Sequence, residues 1–414
     1  MVDRLLVCVF FVAIVVSSAI DGSAQTISQR GFVDGSTVVY PQTTANDDVR
    51  VVGDVLGRED AIVKPAVWIQ FAAGLDFRAN SHGQVDDSWE LDFSDRTRLR
   101  PRLSVRRLSA TLHRGPFTID VGKQFIRWGK TDIVTPTDRF APRDFLNVID
   151  AEFLAVTGVR GTVQAGHETF DAVWVPRFTP SRMPIVDQRW TPVPAGPIGI
   201  AIVDVAAPFP DGAQSGLRWS HLGRAVEFSA SFFDGFNHLP NIAADVQTFP
   251  SQITVARVYP AIRTYGVDAA VPIRWFTIKG EAAYFTSRSV DTDEYVLYVL
   301  QLERQSGEWV FIGGYAGEAL TTRGAVLTFA PDRGLSRSIV ARASYTIDPN
   351  RRIAFETAVR ENGSGVYAKA EYSQARGQHW RATLTGVLIA GDETDFLGQY
   401  ERNSHARVAL RYSF

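Results

Sequence analysis

The sequence predicts an all-β chain, a transmembrane up-and-down antiparallel β-barrel. Three observations carry that prediction: apolar and polar residues alternate with period two along most of the chain, the connections alternate between short and long, and aromatic residues gather at both ends of the alternating stretches. Composition excludes little by itself, with a net charge of −2, a pI near 6.4 and a mean hydropathy of −0.05. It gives neither the basic footprint of a nucleic-acid binder nor the bias of a disordered chain.

The first residues set the compartment. Arg4, an apolar run from Leu5 to Val16 and the small residues Gly22 and Ala24 read as a secretory signal peptide, residues 1–24, cleaved after Ala24. The run is shorter than the roughly 20 residues of a spanning helix, which argues against a membrane anchor. The single cysteine, Cys8, lies inside it, so residues 25–414 hold no disulfide, thiolate metal site or catalytic thiol. No linker-like shift in composition divides those residues, and one domain is expected.

Alternation is plainest in three stretches. Val67, Ile69, Phe71, Ala73, Leu75 and Phe77 share one face opposite Gln70, Asp76 and Arg78; Ile353, Phe355 and Val359 oppose Glu356 and Arg360; Trp380, Ala382, Leu384 and Leu388 oppose Arg381, Thr383 and Thr385. Between such stretches, short connections at 113–116, 167–168, 223–224, 271–274, 306–308, 348–350 and 374–377 take turns with longer ones at 80–97, 129–154, 177–213, 236–260, 288–293, 320–334 and 391–402, with 361–364 as a short exception. A soluble sandwich also has many short strands, but nothing in it sorts loop length by parity. Counting from residue 66 gives sixteen strands; an upstream pair, with a turn at Lys64–Ala66, raises the prediction to eighteen, with sixteen as the fallback.

Trp68, Trp275, Trp309 and Trp380 follow short turns, with Trp219, Tyr345, Tyr372 and Phe414 at the same level, while Phe77, Phe125, Trp174, Phe232, Tyr284 and Tyr315 lie toward the long loops. Two such belts fit the two interfaces of a membrane. The final strand, His405 to Phe414, alternates to its last residue, so it needs a backbone partner, which a closed barrel supplies through its first strand. Its Tyr412-x-Phe414 ending resembles the insertion signal of Gram-negative outer-membrane barrels, which implies the outer membrane as location and the barrel-assembly machinery as partner.

One segment departs from plain barrel patterning. Within residues 121–145, Gly122, Gln124, Trp128, Gly129, Asp132, Pro136, Asp138, Pro142, Arg143 and Asp144 stand where a Gly-Arg-Gln…Trp-Gly…Asp…Asn-Pro-x-Asp…Pro-Arg-Asp pattern would have them, Lys123 replacing Arg and Thr135 replacing Asn. The pattern resembles that of poorly characterised porin-like outer-membrane proteins of Gram-negative bacteria, and the resemblance extends weakly to residues near 30–35 and to 302–318. Alginate-export barrels are a looser architectural relative. The resemblance implies the fold and leaves the substrate open.

Two candidate sites follow. The long segment 129–154 carries Lys130, Asp132, Asp138, Arg139, Arg143 and Asp144 among prolines, so it either folds into the lumen as a pore constriction or orders itself by its own ion pairs above the membrane. On the last five strands the face opposite the apolar one carries Arg342, Arg360, Lys369, Arg381, Arg407 and Arg411 against Glu356 and Glu371. That basic lumen wall either favours anions in a water-filled channel or pairs with loop carboxylates. Acidic clusters at 86–92, 291–294 and 392–395 lack the ligand spacing of a calcium loop and read as solvated surface, with calcium or lipopolysaccharide bridging as the alternative.

Catalysis is not expected, since the seven histidines are dispersed and none has metal-ligand spacing. No cofactor and no metal are expected. The expected function is passive diffusion of small hydrophilic solutes with a mild anion preference. The rival is the exit port of a secretion or lipid-transport system, and a barrel hydrolase is a third reading. The expected partners are outer-membrane lipid, lipopolysaccharide and small solutes, with a homo-oligomer as an option and no nucleic acid.

Overall fold

The computed structural model describes residues 26–191, 201–205, 208–248, 251–325 and 327–414. The predicted signal peptide lies outside the described residues. Eighteen strands run in sequence order around a closed barrel: β1 (Thr26–Val39), β2 (Val51–Ala66), β3 (Ile69–Asn80), β4 (Leu103–Arg114), β5 (Phe117–Gln124), β6 (Val156–Ala165), β7 (Glu168–Val175), β8 (Gln214–Leu222), β9 (Glu227–Phe236), β10 (Ala261–Pro272), β11 (Thr277–Ser287), β12 (Glu294–Ser306), β13 (Trp309–Thr322), β14 (Ser338–Asp348), β15 (Arg351–Arg360), β16 (Gly365–Arg376), β17 (Trp380–Gly391) and β18 (His405–Ser413). Each strand pairs antiparallel with the next, and β18 closes on β1 from Phe32↔Ser413 to Val39↔Ala406. Phe414 extends the seam, exchanging backbone hydrogen bonds of 3.0 Å in both directions with Gly31.

Closure explains the period-two pattern. Closure leaves no free edge strand, and the apolar face turns outward instead of into a core. Leu217, Val267, Leu300, Ile339, Leu388 and Val408 are all more than half exposed on that outer face. Trp68, Trp275 and Phe414 are exposed toward the short turns, and Trp174 toward the long loops. These features place the barrel in the outer membrane of a Gram-negative bacterium.

The eighteen-strand count and the alternation of eight tight turns with nine longer loops agree with the sequence reading. One boundary differs. The first hairpin turns at Val67–Trp68, and Lys64–Ala66 belongs to β2, where the register to β3 shifts between Val63 and Ala66. Pro65 has no N–H to give the ladder, so the strand bulges there rather than turning.

Inside, two apolar clusters fill much of the barrel's long-loop half. In one, inward Val156, Val173, Val175, Phe233, Phe285, Tyr295 and Leu297 pack around Ile126, Trp128 and Phe140 of the segment between β5 and β6. In the other, inward Val52, Val340, Ala358, Tyr367, Val387 and Ile389 meet loop residues Phe145, Val148, Met183, Trp190, Leu239, Phe329, Leu397 and Tyr400.

Candidate functional site in the lumen

Segment 125–155, between β5 and β6, is held against inward side chains from the middle of distant strands. Gly122, in β5 just ahead of it, has a φ of +119° that is open to glycine, and a Cβ there would collide with the Leu108 carbonyl. Gln124 follows, donating from Nε2 to the Asp120 and Gly158 carbonyls at 3.3 and 3.2 Å. The chain then folds back on Asp138, whose Oδ1 accepts from the Trp128 and Gly129 amides at 2.6 and 2.7 Å, with Arg127 Nε 3.3 Å from Oδ2. Trp128 stacks edge-on to Phe140 at 5.2 Å, and Pro136 and Pro142 are buried in the fold they stiffen.

The docking centre is Glu281 of β11. Its Oε2 accepts from the Lys130 amide at 2.9 Å, the Thr131 amide at 3.0 Å and the Thr131 hydroxyl at 2.9 Å; its Oε1 accepts from the Thr137 amide and hydroxyl, both at 2.8 Å. Gln301 of β12 brackets Asp132, accepting from its amide at 2.9 Å and donating to its carboxylate at 2.6 Å. Beside it, Gly314 leaves room for Ile133, whose Cδ1 would lie 2.9 Å from any Cβ. Lys130 Nζ sits 2.9 Å from Glu227 and 3.7 Å from Asp268, and Lys279 bridges Asp132 at 3.2 Å and Glu303 at 2.7 Å.

The rest of the segment ties to other loops. Arg139 lies over the Phe285 ring and 3.9 Å from Asp332, and its carbonyl faces His238 Nε2 at 2.8 Å. The other ring nitrogen, Nδ1, faces the Thr179 carbonyl at 2.6 Å; burial pushes the imidazole down to about 4, against the opposing pull of the two carbonyls. Arg143 donates to the Thr135 hydroxyl at 3.0 Å and covers the Phe153 ring. Asp144 is paired with Arg100 at 2.8 Å and Arg182 at 3.2 Å, and Arg182 continues to Asp95 and from there to Lys123. Burial alone would raise the Asp144 carboxyl, but the two guanidinium groups outweigh it and hold it well below the usual carboxylate range.

The six cations chosen from β14–β18 all face inward, and they divide into two sets. Arg411 pairs with Asp34 of β1 at 2.9 Å, Arg407 with Asp150 at 3.5 Å and Asp34 at 3.9 Å, and Arg360 with Asp395 at 2.9 Å. Arg342, Lys369 and Arg381 make no ion pair or hydrogen bond among the described residues. Lys369 and Arg381 line a cavity of about 340 Å³ together with Asn147, Asp150, Glu371, Arg407 and Arg411. Tyr412 and Phe414 are remote from it, on the outer face, with ring centroids 6.3 Å apart. The acidic clusters serve local structure: Asp92 accepts from the Ser94 and Asp95 amides, Asp293 pairs with Arg333, and Asp395 with Arg360. Among the described residues no group of three or more acidic, histidine or cysteine side chains is arranged to hold a metal ion.

Glu281, Gln301, Asp34 and Asp150 are the site residues that sequence reasoning passed over. Gln301 had a signal. It interrupts a strand whose stretch Tyr295–Leu300 is apolar on both faces, a pattern that calls for an apolar partner inside the barrel as well as lipid outside.

With this geometry in place, comparison with known proteins gives one kind of answer. The fold is shared with solved Gram-negative outer-membrane barrels. A BenF-like porin from Pseudomonas fluorescens Pf-5 matches with a TM-score of 0.57 at 9% identity, over 94% of this chain and 98% of that one. Pseudomonas aeruginosa OpdQ gives 0.55 at 9% identity, over 96% and 99%, and Acinetobacter baumannii OccAB4 gives 0.54 at 10%, over 95% and 99%. No family model matches the sequence, and no curated protein is similar to it.

Proposed function

We propose that the protein is an outer-membrane channel through which small hydrophilic solutes diffuse passively, with a modest preference for anions. The observation that carries this reading is the pair of unpartnered cations Lys369 and Arg381, facing a polar cavity on one side of the lumen while segment 129–138 is latched to the other. Residues 129–138 take cross-section from β8–β12, and Asn147, Ile149 and Asp150 of the same segment line the space left against β14–β18 and β1, which is the sense in which residues 129–154 form a constriction. Three of the six wall cations are neutralised by carboxylates, so the field comes from the remaining three set against Glu356 and Glu371 of the same wall, and the lipid around the barrel screens it less than bulk water would. The likeness in fold to a structure described as a porin supports the same reading.

The test is reversal potential in planar bilayers across a dilute salt gradient. The wild-type channel is expected to lean toward anions, less so as salt is raised, because the Debye length falls from about 30 Å at 0.01 M to about 3 Å at 1 M. Lys369→Glu with Arg381→Glu should move it toward cations. A cation-selective wild type at low salt, or a double variant with an unmoved potential, would refute the anion preference.

A further inference from the structure

Segment Pro184–Trp190, in the loop between β7 and β8, lies buried among other loops at the long-loop end of the barrel. Its centre is Arg189, whose side chain is 1% exposed. The guanidinium donates to the Val49 carbonyl, to the Gln42 carbonyl at 3.4 Å and to Asn403 Oδ1 at 3.4 Å, while Asn403 Nδ2 returns a bond to the Arg189 carbonyl at 2.9 Å. Asp47 accepts from the Arg189 amide at 3.2 Å and lies 3.5 Å from Nε, and the Tyr40 ring covers the cation at 3.8 Å. His82, from the loop between β3 and β4, reaches the same Asp47 carboxylate at 3.0 Å. Next in the chain, Trp190 packs on Tyr400 at 5.6 Å and edge-on to His405 at 6.4 Å.

We propose that Arg189 is the positioning residue of a second, outer closure of the lumen, in which Pro184–Trp190 roofs the basic wall. A guanidinium is costly to bury unless its donors are met and its charge is answered. Here the loop between β1 and β2 supplies two carbonyls, the Asp47 carboxylate and the Tyr40 ring, and the loop between β17 and β18 supplies Asn403, so the cost is largely offset only when both loops are assembled on Arg189, with Nε left without a hydrogen bond among the described residues. Arg189 and Trp190 line a cavity of about 300 Å³ whose other walls include Asp34, Asp150, Arg407 and Arg411. A solute moving between the outside and that wall has to displace the roof. This closure is separate from the Glu281 latch, which acts on the opposite side of the lumen, and it rests on the reading that solutes cross this lumen.

The experiment compares wild type with Arg189→Ala in planar bilayers, after heat-modifiable migration has shown that the barrel is folded. Arg189→Ala should raise single-channel conductance severalfold, and Trp190→Ala should do the same with the Arg189 contacts left in place. A second readout uses Ile185→Cys, which adds a thiol to a chain whose one cysteine, Cys8, precedes the described residues. A membrane-impermeant maleimide on whole cells should label it slowly alone and rapidly when Arg189→Ala is added. Should Arg189→Ala fail to fold, Asn403→Ala carries the same measurements. A conducting wild type whose variants match it in conductance and labelling overturns the closure and leaves the channel reading standing. If wild type and all variants are silent, the channel reading falls and the closure with it; a silent wild type and a conducting Arg189→Ala support the closure.

Discussion

The two sides of this lumen are built from the same kind of strand and face opposite fates. On the arc β6–β12, inward positions toward the long loops are valine, phenylalanine, tyrosine and leucine, sealed under Ile126, Trp128 and Phe140, and the polar groups below them, Glu281 and Gln301, are used up by backbone amides of the same segment. On the arc β14–β18 and β1, inward positions below the apolar roof keep Lys369, Glu371, Arg381, Thr383 and Ser373 facing a cavity. Glu281 and Gln301 on the first arc are satisfied by protein, whereas Lys369 and Arg381 on the second face a cavity with no protein partner among the described residues. A charge therefore reports on permeation only where it is left to water, and counting inward charges from a sequence overstates the field.

Three changes would break or sharpen that contrast. The largest effect is expected from Glu281→Ala, which strips the acceptor from three buried amides and two hydroxyls and should destabilise the docked segment by about 3 kcal/mol. Limited proteolysis within 129–138 should rise while the barrel remains heat-modifiable, and the sealed arc should open to water. A segment still protected in that variant would show that the apolar cluster alone holds it.

A smaller effect separates free from paired cations. Arg381→Gln removes an unpartnered charge and should shift the low-salt reversal potential away from anions. Arg411→Gln breaks the 2.9 Å pair with Asp34, leaving that carboxylate with only Arg407, 3.9 Å away. Both remove one positive charge, so equal shifts would mean that position within the lumen is immaterial. A larger shift for Arg411→Gln would put the pair, rather than the free cations, at the narrowest point.

The smallest effect concerns pH. Asp144 is held below its ordinary value, so its contribution is complete above about 3.9 and is lost as pH falls below that toward the folded-state value. Protease resistance of the loops around Asp144, Arg100 and Arg182 should hold at pH 5 (about one unit above that ordinary value) and decline below it. Asp144→Asn should weaken resistance at neutral pH and flatten the acid dependence.

How much of this was legible divides along a physical line. Strand number, closure and the outer face follow from a two-residue period and from loop parity, both local properties of the chain. The inward orientation of Arg342, Lys369 and Arg381 follows from the same period. What those side chains meet depends on which loop reaches them, and the Arg407–Asp150 pair joins residues 257 apart in sequence. The carboxylate of Glu281 looked like any lumen charge, because nothing near it in sequence shows that residues 130–137 would arrive. The bulge at Pro65 was misread as a turn because proline marks both.

The Glu281 latch also orders assembly in time. Its partners Thr131 and Thr137 precede it by 150 and 144 residues, and the strands that present Glu281 and Gln301 are the eleventh and twelfth of eighteen. Contacts that span so much chain form late, after the loop-closure entropy of the intervening strands has been overcome. Segment 125–155 therefore spends the early part of folding without Glu281 and Gln301, with Val156, Val173 and Val175 of β6 and β7 as the first cover for Trp128 and Phe140. A chain stalled before β11 would carry that segment unlatched.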